Sequence, residues 1–155
     1  MATLTTTVIE SLTLNGSEQG GTNTFTVTGV NEVYKRIVTC TNDVDTTLVT
    51  FRAAVNTNDS AVDIEDVRYV RITNLDSADD LHISLQLDTG TDGADHQTTI
   101  LVSPGQSLML GKTDAAIATS DDGAAVDTAL NDVESIIAHP PGSDALDVEI
   151  FIASV

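Results

Sequence analysis

The sequence predicts an all-β protein: one antiparallel sandwich or barrel over residues 1–155, with about eight to ten strands and at most one short helical turn. Three observations predict it. Apolar and polar residues alternate with period two in several stretches, the pattern of a strand with one wet face. Thr, Val and Ile are abundant, and they suit a pleated, half-buried surface. Clusters of Asn, Asp, Gly and Ser punctuate the chain about every ten to fifteen residues. With 41% hydrophobic residues in 155, there is enough apolar material for one core and too little chain for a second.

Taken in order, Leu4, Val8, Leu12 and Leu14 predict a first strand interrupted by threonines. Residues 1–14 read two ways, as an arm exchanged with a neighbour or as a strand paired within its own subunit. Asn15 to Gly21 reads as a loop. Phe25 and Val27 make a short alternating set, and Val49, Phe51, Ala53 and Val55 a longer one. Between Asp66 and Leu75 the phase switches, since Val67 and Tyr69 share one parity and Val70 and Ile72 the other. A β-bulge produces such a switch, and so does a strand buried on both faces.

Leu81 to Leu87 alternates without a fault, with His82, Ser84 and Gln86 on the polar side. Ser103-Pro104-Gly105-Gln106 reads as a type II turn between the sets Ile100/Val102 and Leu108/Leu110. Val126, Leu130, Val133 and Ile137 have helical spacing, yet 133–138 also reads as a strand, and the strand is preferred. A helical turn within 114–130 stays open. Leu146, Val148, Ile150 and Ile152 point one way at the C-terminal end, and Asp147, Glu149, Phe151 and Ala153 the other.

Six Lys+Arg against twenty-four Asp+Glu give a net charge of −18. That balance works against binding a phosphate backbone or an anionic membrane, so neither nucleic acid nor membrane is an expected partner. No apolar run approaches ~18 residues. The start of the chain is polar and carries no Lys or Arg, unlike a signal peptide, so synthesis in the cytoplasm is expected. All six basic residues lie between 35 and 112. Arg52, Arg68 and Arg71 are interface candidates, since Arg is favoured at protein contacts. The alternative is an acidic solvated surface that keeps the protein soluble.

Motifs for chemistry are sparse. Asp88, Asp92 and Asp95 alternate around glycines as calcium ligands do, but against an EF-hand loop Gly90 replaces the third ligand and Thr99 the bidentate Glu. A turn is the simpler reading, and Asp76/Asp79/Asp80 and Asp121/Asp122/Asp127 are treated alike. No cofactor is expected. Neither G-x-S-x-G nor H-E-x-x-H occurs, and the three His residues lie far apart in sequence. Cys40, the single cysteine, reads as a small buried hydrophobe, and no catalytic residues are assigned. The 3% aromatic content argues against a sugar cleft with aromatic platforms.

The run Arg68 to Asp76, the alternating strand 81–87, the segment Ile100 to Leu110 and the closing Asp147 to Ser154 together resemble small β-sandwich structural proteins of tailed bacteriophages. These include capsid decoration (cement) proteins and tail or head–tail components. The resemblance covers about residues 60–155 and is one of strand and turn order. It implies a jelly roll, no catalytic residues, a homotrimer, a place on the capsid surface of a virion, and the major capsid protein as partner. A tail or head–tail component, or a carbohydrate- or cell-surface-binding sandwich, is the alternative.

Overall fold

The computed structural model describes residues 1–52, 61–88, 96–119 and 126–155. Its strands are β1 (Ala2–Ile9), β2 (Thr13–Leu14), β3 (Ser17–Glu18), β4 (Thr22–Val30), β5 (Glu32–Cys40), β6 (Thr46–Arg52) and β7 (Ala61–Asp63). The remainder are β8 (Val67–Asn74), β9 (Leu81–Asp88), β10 (His96–Val102), β11 (Ser107–Leu110), β12 (Asp132–His139) and β13 (Leu146–Ser154). The protein is all-β, with no helix among the described residues.

A five-stranded sheet has the order β10-β9-β12-β6-β7, and a four-stranded sheet the order β11-β8-β13-β5. Set aside β1 to β4 and the three-residue β7, and eight principal strands remain. Numbered along the chain, they lie as first–eighth–third–sixth in one sheet and second–seventh–fourth–fifth in the other. That interleaving is the double-sheet order of a jelly roll. The thirteen strands among the described residues exceed the expected eight to ten. The surplus is a ribbon of β1 with β4, its tip hairpin of β2 with β3, and β7, which runs parallel to β6.

The core lies between the sheets. Leu81, Ile83, Leu85 and Leu87 of β9 face Val148, Ile150 and Ile152 of β13 and Ile72 of β8, all fully buried in one cluster. Each such side chain contributes about 1.5–3 kcal/mol by leaving water. The phase switch in β8 is a bulge: Tyr69 pairs Ala153, but Val67 pairs the next residue, Ser154. The bulge keeps Val67, Val70 and Ile72 in the main core while turning Tyr69 to the outer face. A second bulge, in β6, buries both Leu48 and Val49.

Buried polar groups tie the sheets. Tyr34 of β5 donates its hydroxyl to Leu48 O of β6 at 3.1 Å. The Asn74 amide, at the end of β8, donates to Val102 O at 3.1 Å and Asp79 O at 2.8 Å. Its Oδ1 accepts the Asp76 N–H at 3.0 Å. The expected turn is present: Gly105 has φ 70° and Gln106 N donates to Ser103 O at 3.0 Å. It carries the chain from β10 across to β11 in the other sheet. The expected strand at 133–138 is the centre of β12. Ala53, Val55, Asp92, Asp95, Asp121 and Asp122 lie outside the described residues.

Cys40 is buried, and burial pushes its thiol above its ordinary range, aided by nearby Asp147. A thiol that is both covered and protonated is a poor nucleophile. Native protein is therefore expected to react with a disulfide dye at least about a hundredfold more slowly than denatured protein, since access requires opening. Equal rates would show the thiol to be accessible.

Candidate functional site

Most of the exposed large apolar side chains among the described residues lie on one side of the molecule. The outer face of the four-stranded sheet and the ribbon above it, with Met1, carry nine of the fourteen exposed large hydrophobic side chains among the described residues. Val33, Ile37 and Met109 are 54%, 60% and 44% exposed on the sheet; Ile9, Leu12 and Leu14 are 71%, 56% and 57% exposed on the ribbon. A single bare leucine is ordinary, whereas a collection on one side is the feature that interaction surfaces share.

The ribbon is held by pairing within its own chain. β1 pairs antiparallel with β4 of its own chain, from Ala2–Val30 to Ile9–Thr22. Leu4, Val27 and Phe25 lie on its inner side, where Leu4 and Val27 pack on Tyr69 and Phe151. The Phe25 and Tyr69 rings are 5.4 Å apart, and Tyr69 meets Phe151 edge-on at 6.1 Å. The opposite side is almost wholly threonine: Thr3, Thr5 and Thr7 stand across from Thr28, Thr26 and Thr24. β-Branching favours the strand while the hydroxyls stay wet, and Thr7 and Thr24 share a hydrogen bond at 3.1 Å.

Beyond Ile9 the ribbon closes in a two-residue hairpin. Asn15 and Gly16 have φ of 52° and 77°, the pair of left-handed residues that a type I′ turn requires. The Glu18 carboxylate holds the tip together, accepting N–H bonds from Leu12 at 3.0 Å and Gly20 at 2.8 Å and the Thr13 hydroxyl at 3.3 Å. Gly20 is obligatory, since a Cβ there would stand 2.1 Å from Glu10 O.

The Leu12 and Gly20 N–H groups hold the Glu18 carboxyl below its ordinary range. A depressed folded pKa means that the support is present above the unfolded value and lost as pH falls through the folded one. The Leu12 and Gly20 amide resonances are expected to titrate with a midpoint below that of an ordinary Glu. Glu18→Gln should abolish that titration and loosen the tip, because neutral acceptors make bonds roughly half as strong. A midpoint at or above the ordinary value would contradict the arrangement.

Between β1 and the sheet lies an open cleft of about 510 Å³. Leu4, Val8, Met109 and Phe151 give it an apolar lining, and Thr6 and Ser107 a polar one. Beside it, Glu149 of β13 accepts from both Lys35 (3.2 Å) and Arg71. Burial pushes the Glu149 carboxyl up, but these two cations outweigh it and hold the group below its ordinary range.

The outer face of the five-stranded sheet is mostly polar and holds a depression of about 230 Å³. Gln86 Nε2 donates to Ser84 Oγ at 2.8 Å and to Gln97 Oε1 at 2.9 Å. His82 and His139 stack at 6.3 Å between ring centroids. His139 Nδ1 lies 2.8 Å from Asp45 Oδ1; a carboxylate only accepts, so that nitrogen carries the proton.

Of the three interface candidates, Arg71 stands on the outer face of the four-stranded sheet, bonded to Glu149 and Thr73. Arg68, in the bulge of the same strand, donates to the carbonyls of Glu65 and Val67. Arg52 ends β6 in the other sheet. Asp88 ends β9, and the Asp76 carboxylate caps the Ala78 and Asp79 N–H groups as a turn residue does. No group of three or more His, Cys, Asp or Glu side chains suited to a metal exists among the described residues. Sequence reasoning missed the ribbon tip, although Asn15-Gly16 is the strongest short hairpin signal. It also missed the His82–His139 stack, which arises from strand register alone. No protein-family model matches this chain, and no curated protein or solved structure matches it either.

Proposed function

We propose that this chain is a non-enzymatic structural protein of a bacteriophage virion, a capsid decoration protein that binds the major capsid protein lattice as a homotrimer and stabilises the head. The observation that carries the reading is the one-sided adhesive surface: a stiff ribbon and a sheet face bearing bare apolar groups, opposite a polar sheet. A cement protein needs one face that adheres and one that stays wet. The charge of −18 opposes premature aggregation of free copies. The strand order agrees with the jelly roll that the sequence resemblance implies. The test is heat and osmotic challenge of heads with and without the chain. Heads carrying it should survive better, and heads saturated with an Ile9→Asn/Leu12→Asn variant should not. Equal survival of bare and decorated heads would end the proposal.

A second reading rests on the polar depression. Amide, hydroxyl and imidazole groups converging in a shallow basin suit a neutral polyhydroxylated ligand, as in a carbohydrate-binding sandwich. Titration with a panel of hexoses, followed through the Gln86 and Gln97 side-chain amide resonances, tests it. Unmoved resonances would remove it.

A further inference from the structure

The hairpin tip and the cleft are complementary surfaces on one chain that cannot meet within one molecule. The cleft is lined by residues 4–8 of β1 itself, whereas Leu12 and Leu14 lie past the far end of that strand. Folding the tip back would break the pairing of Val8 and Ile9 with Asn23 and Thr22. We infer that the tip of one copy seats Leu12 and Leu14 in the cleft beneath β1 of a second copy.

Three observations support a second copy as the occupant. First, the tip is preorganised: its Asn15-Gly16 turn and the Glu18 carboxylate fix the loop before any partner arrives, so little ordering entropy remains to be lost. Second, the cleft of about 510 Å³ holds roughly seventeen waters' worth of volume against a largely apolar lining, which leucine side chains would displace. β1 is hydrogen-bonded only to β4 among the described strands, so its other edge offers backbone groups to an incoming segment. Third, charge permits the contact here and opposes it elsewhere. On the outer face of the four-stranded sheet, Lys35 and Arg71 balance Asp147 and Glu149, two against two, on a chain of −18. The tip segment carries Glu10 and Glu18 and no cation. Like-charge repulsion between copies is therefore weak where the tip would dock, since that face is neutral by this count.

Such a contact is heterologous, tip to cleft, so it closes into a ring or runs on. It is also opposed by the remaining charge, so it should tighten with salt. This inference goes beyond the virion reading and stands without it, because it is measured on free protein and not on particles.

The experiment is light scattering of the full chain over a concentration series at about 0.1 M and about 1 M salt, where the screening length falls from ~10 to ~3 Å. Wild type should associate, more tightly at high salt. Leu12→Asn/Leu14→Asn and, separately, Met109→Asp should each weaken association at least about tenfold, the loss that ~1.4 kcal/mol represents. Mixing the two variants should restore a two-chain complex, since one keeps its cleft and the other its tip. All three substituted side chains are exposed, and an unchanged melting curve checks the fold. A second measurement avoids destabilising changes: Leu14→Cys and Met109→Cys on separate chains should form an interchain disulfide, while buried Cys40 stays out of the reaction. Wild type that is monomeric at both salts would overturn the inference. So would variants that associate like wild type, a mixture that stays dissociated, or failure of the disulfide to form.

Discussion

Asn74→Ala is expected to destabilise the fold by about 2–4 kcal/mol, more than its small volume suggests. The side chain is fully buried and makes three hydrogen bonds, two donated to Asp79 O and Val102 O and one accepted from the Asp76 N–H. Removing it strands one buried backbone carbonyl, Val102 O, and two part-buried groups, Asp79 O and the Asp76 N–H, each costing about 1–3 kcal/mol where no water replaces the partner. For a chain of this length, each kcal/mol shifts the melting midpoint by about 2–4 °C, so a drop of about 4–16 °C is expected. Asn74→Asp separates the causes: it keeps the acceptor for Asp76 but loses both donated bonds, so it should also destabilise strongly at neutral pH. A shift under about 1 °C for Asn74→Ala would mean that the link between the sheets carries little of the stability.

Ile150→Ala is expected to cost about 3–4 kcal/mol, within the range for truncating a fully buried Ile. Ile150 is central in β13, paired to Arg36 on one side and Ile72 on the other, with its side chain in the core. Ile37→Ala is the matched comparison. Ile37 pairs with Glu149 on the outer face and is largely exposed, so its truncation should change stability by no more than about 0.5 kcal/mol. Urea unfolding of both variants measures the contrast. Similar costs would mean that the assignment of inner and outer faces is wrong.

Much of the sandwich was legible because strand periodicity is a local signal. Leu81 to Leu87 alternates without exception and Leu146 to Ile152 with Phe151 alone out of pattern, and their inward apolar sets are the two sides of the core. Ser103 to Gln106 announced its turn through Pro and Gly chemistry alone. The ribbon was less legible. Its threonines alternate with Leu4, Val8, Phe25 and Val27, but hydrophobic patterning reads threonine ambiguously, and the single first strand expected through Leu4, Val8, Leu12 and Leu14 is β1 followed by β2 of the tip hairpin. The pairings that make a surface were not legible. His82 and His139 are 57 positions apart and meet only because β12 and β9 pair in that register. Lys35, Arg71 and Glu149 come from three strands whose order along the sheet is not their order along the chain.

The interleaved strand order has a consequence for how the chain is made. β13 fills the gap between β5 and β8, so the first of the principal strands acquires its sheet neighbour only from the last. A ribosome adding about 5–20 residues per second needs roughly 5–20 s to travel from Cys40 to Leu146. Throughout that interval β5 waits with an open edge. Like-charge repulsion along a chain of −18 opposes entanglement until the last strand slots home.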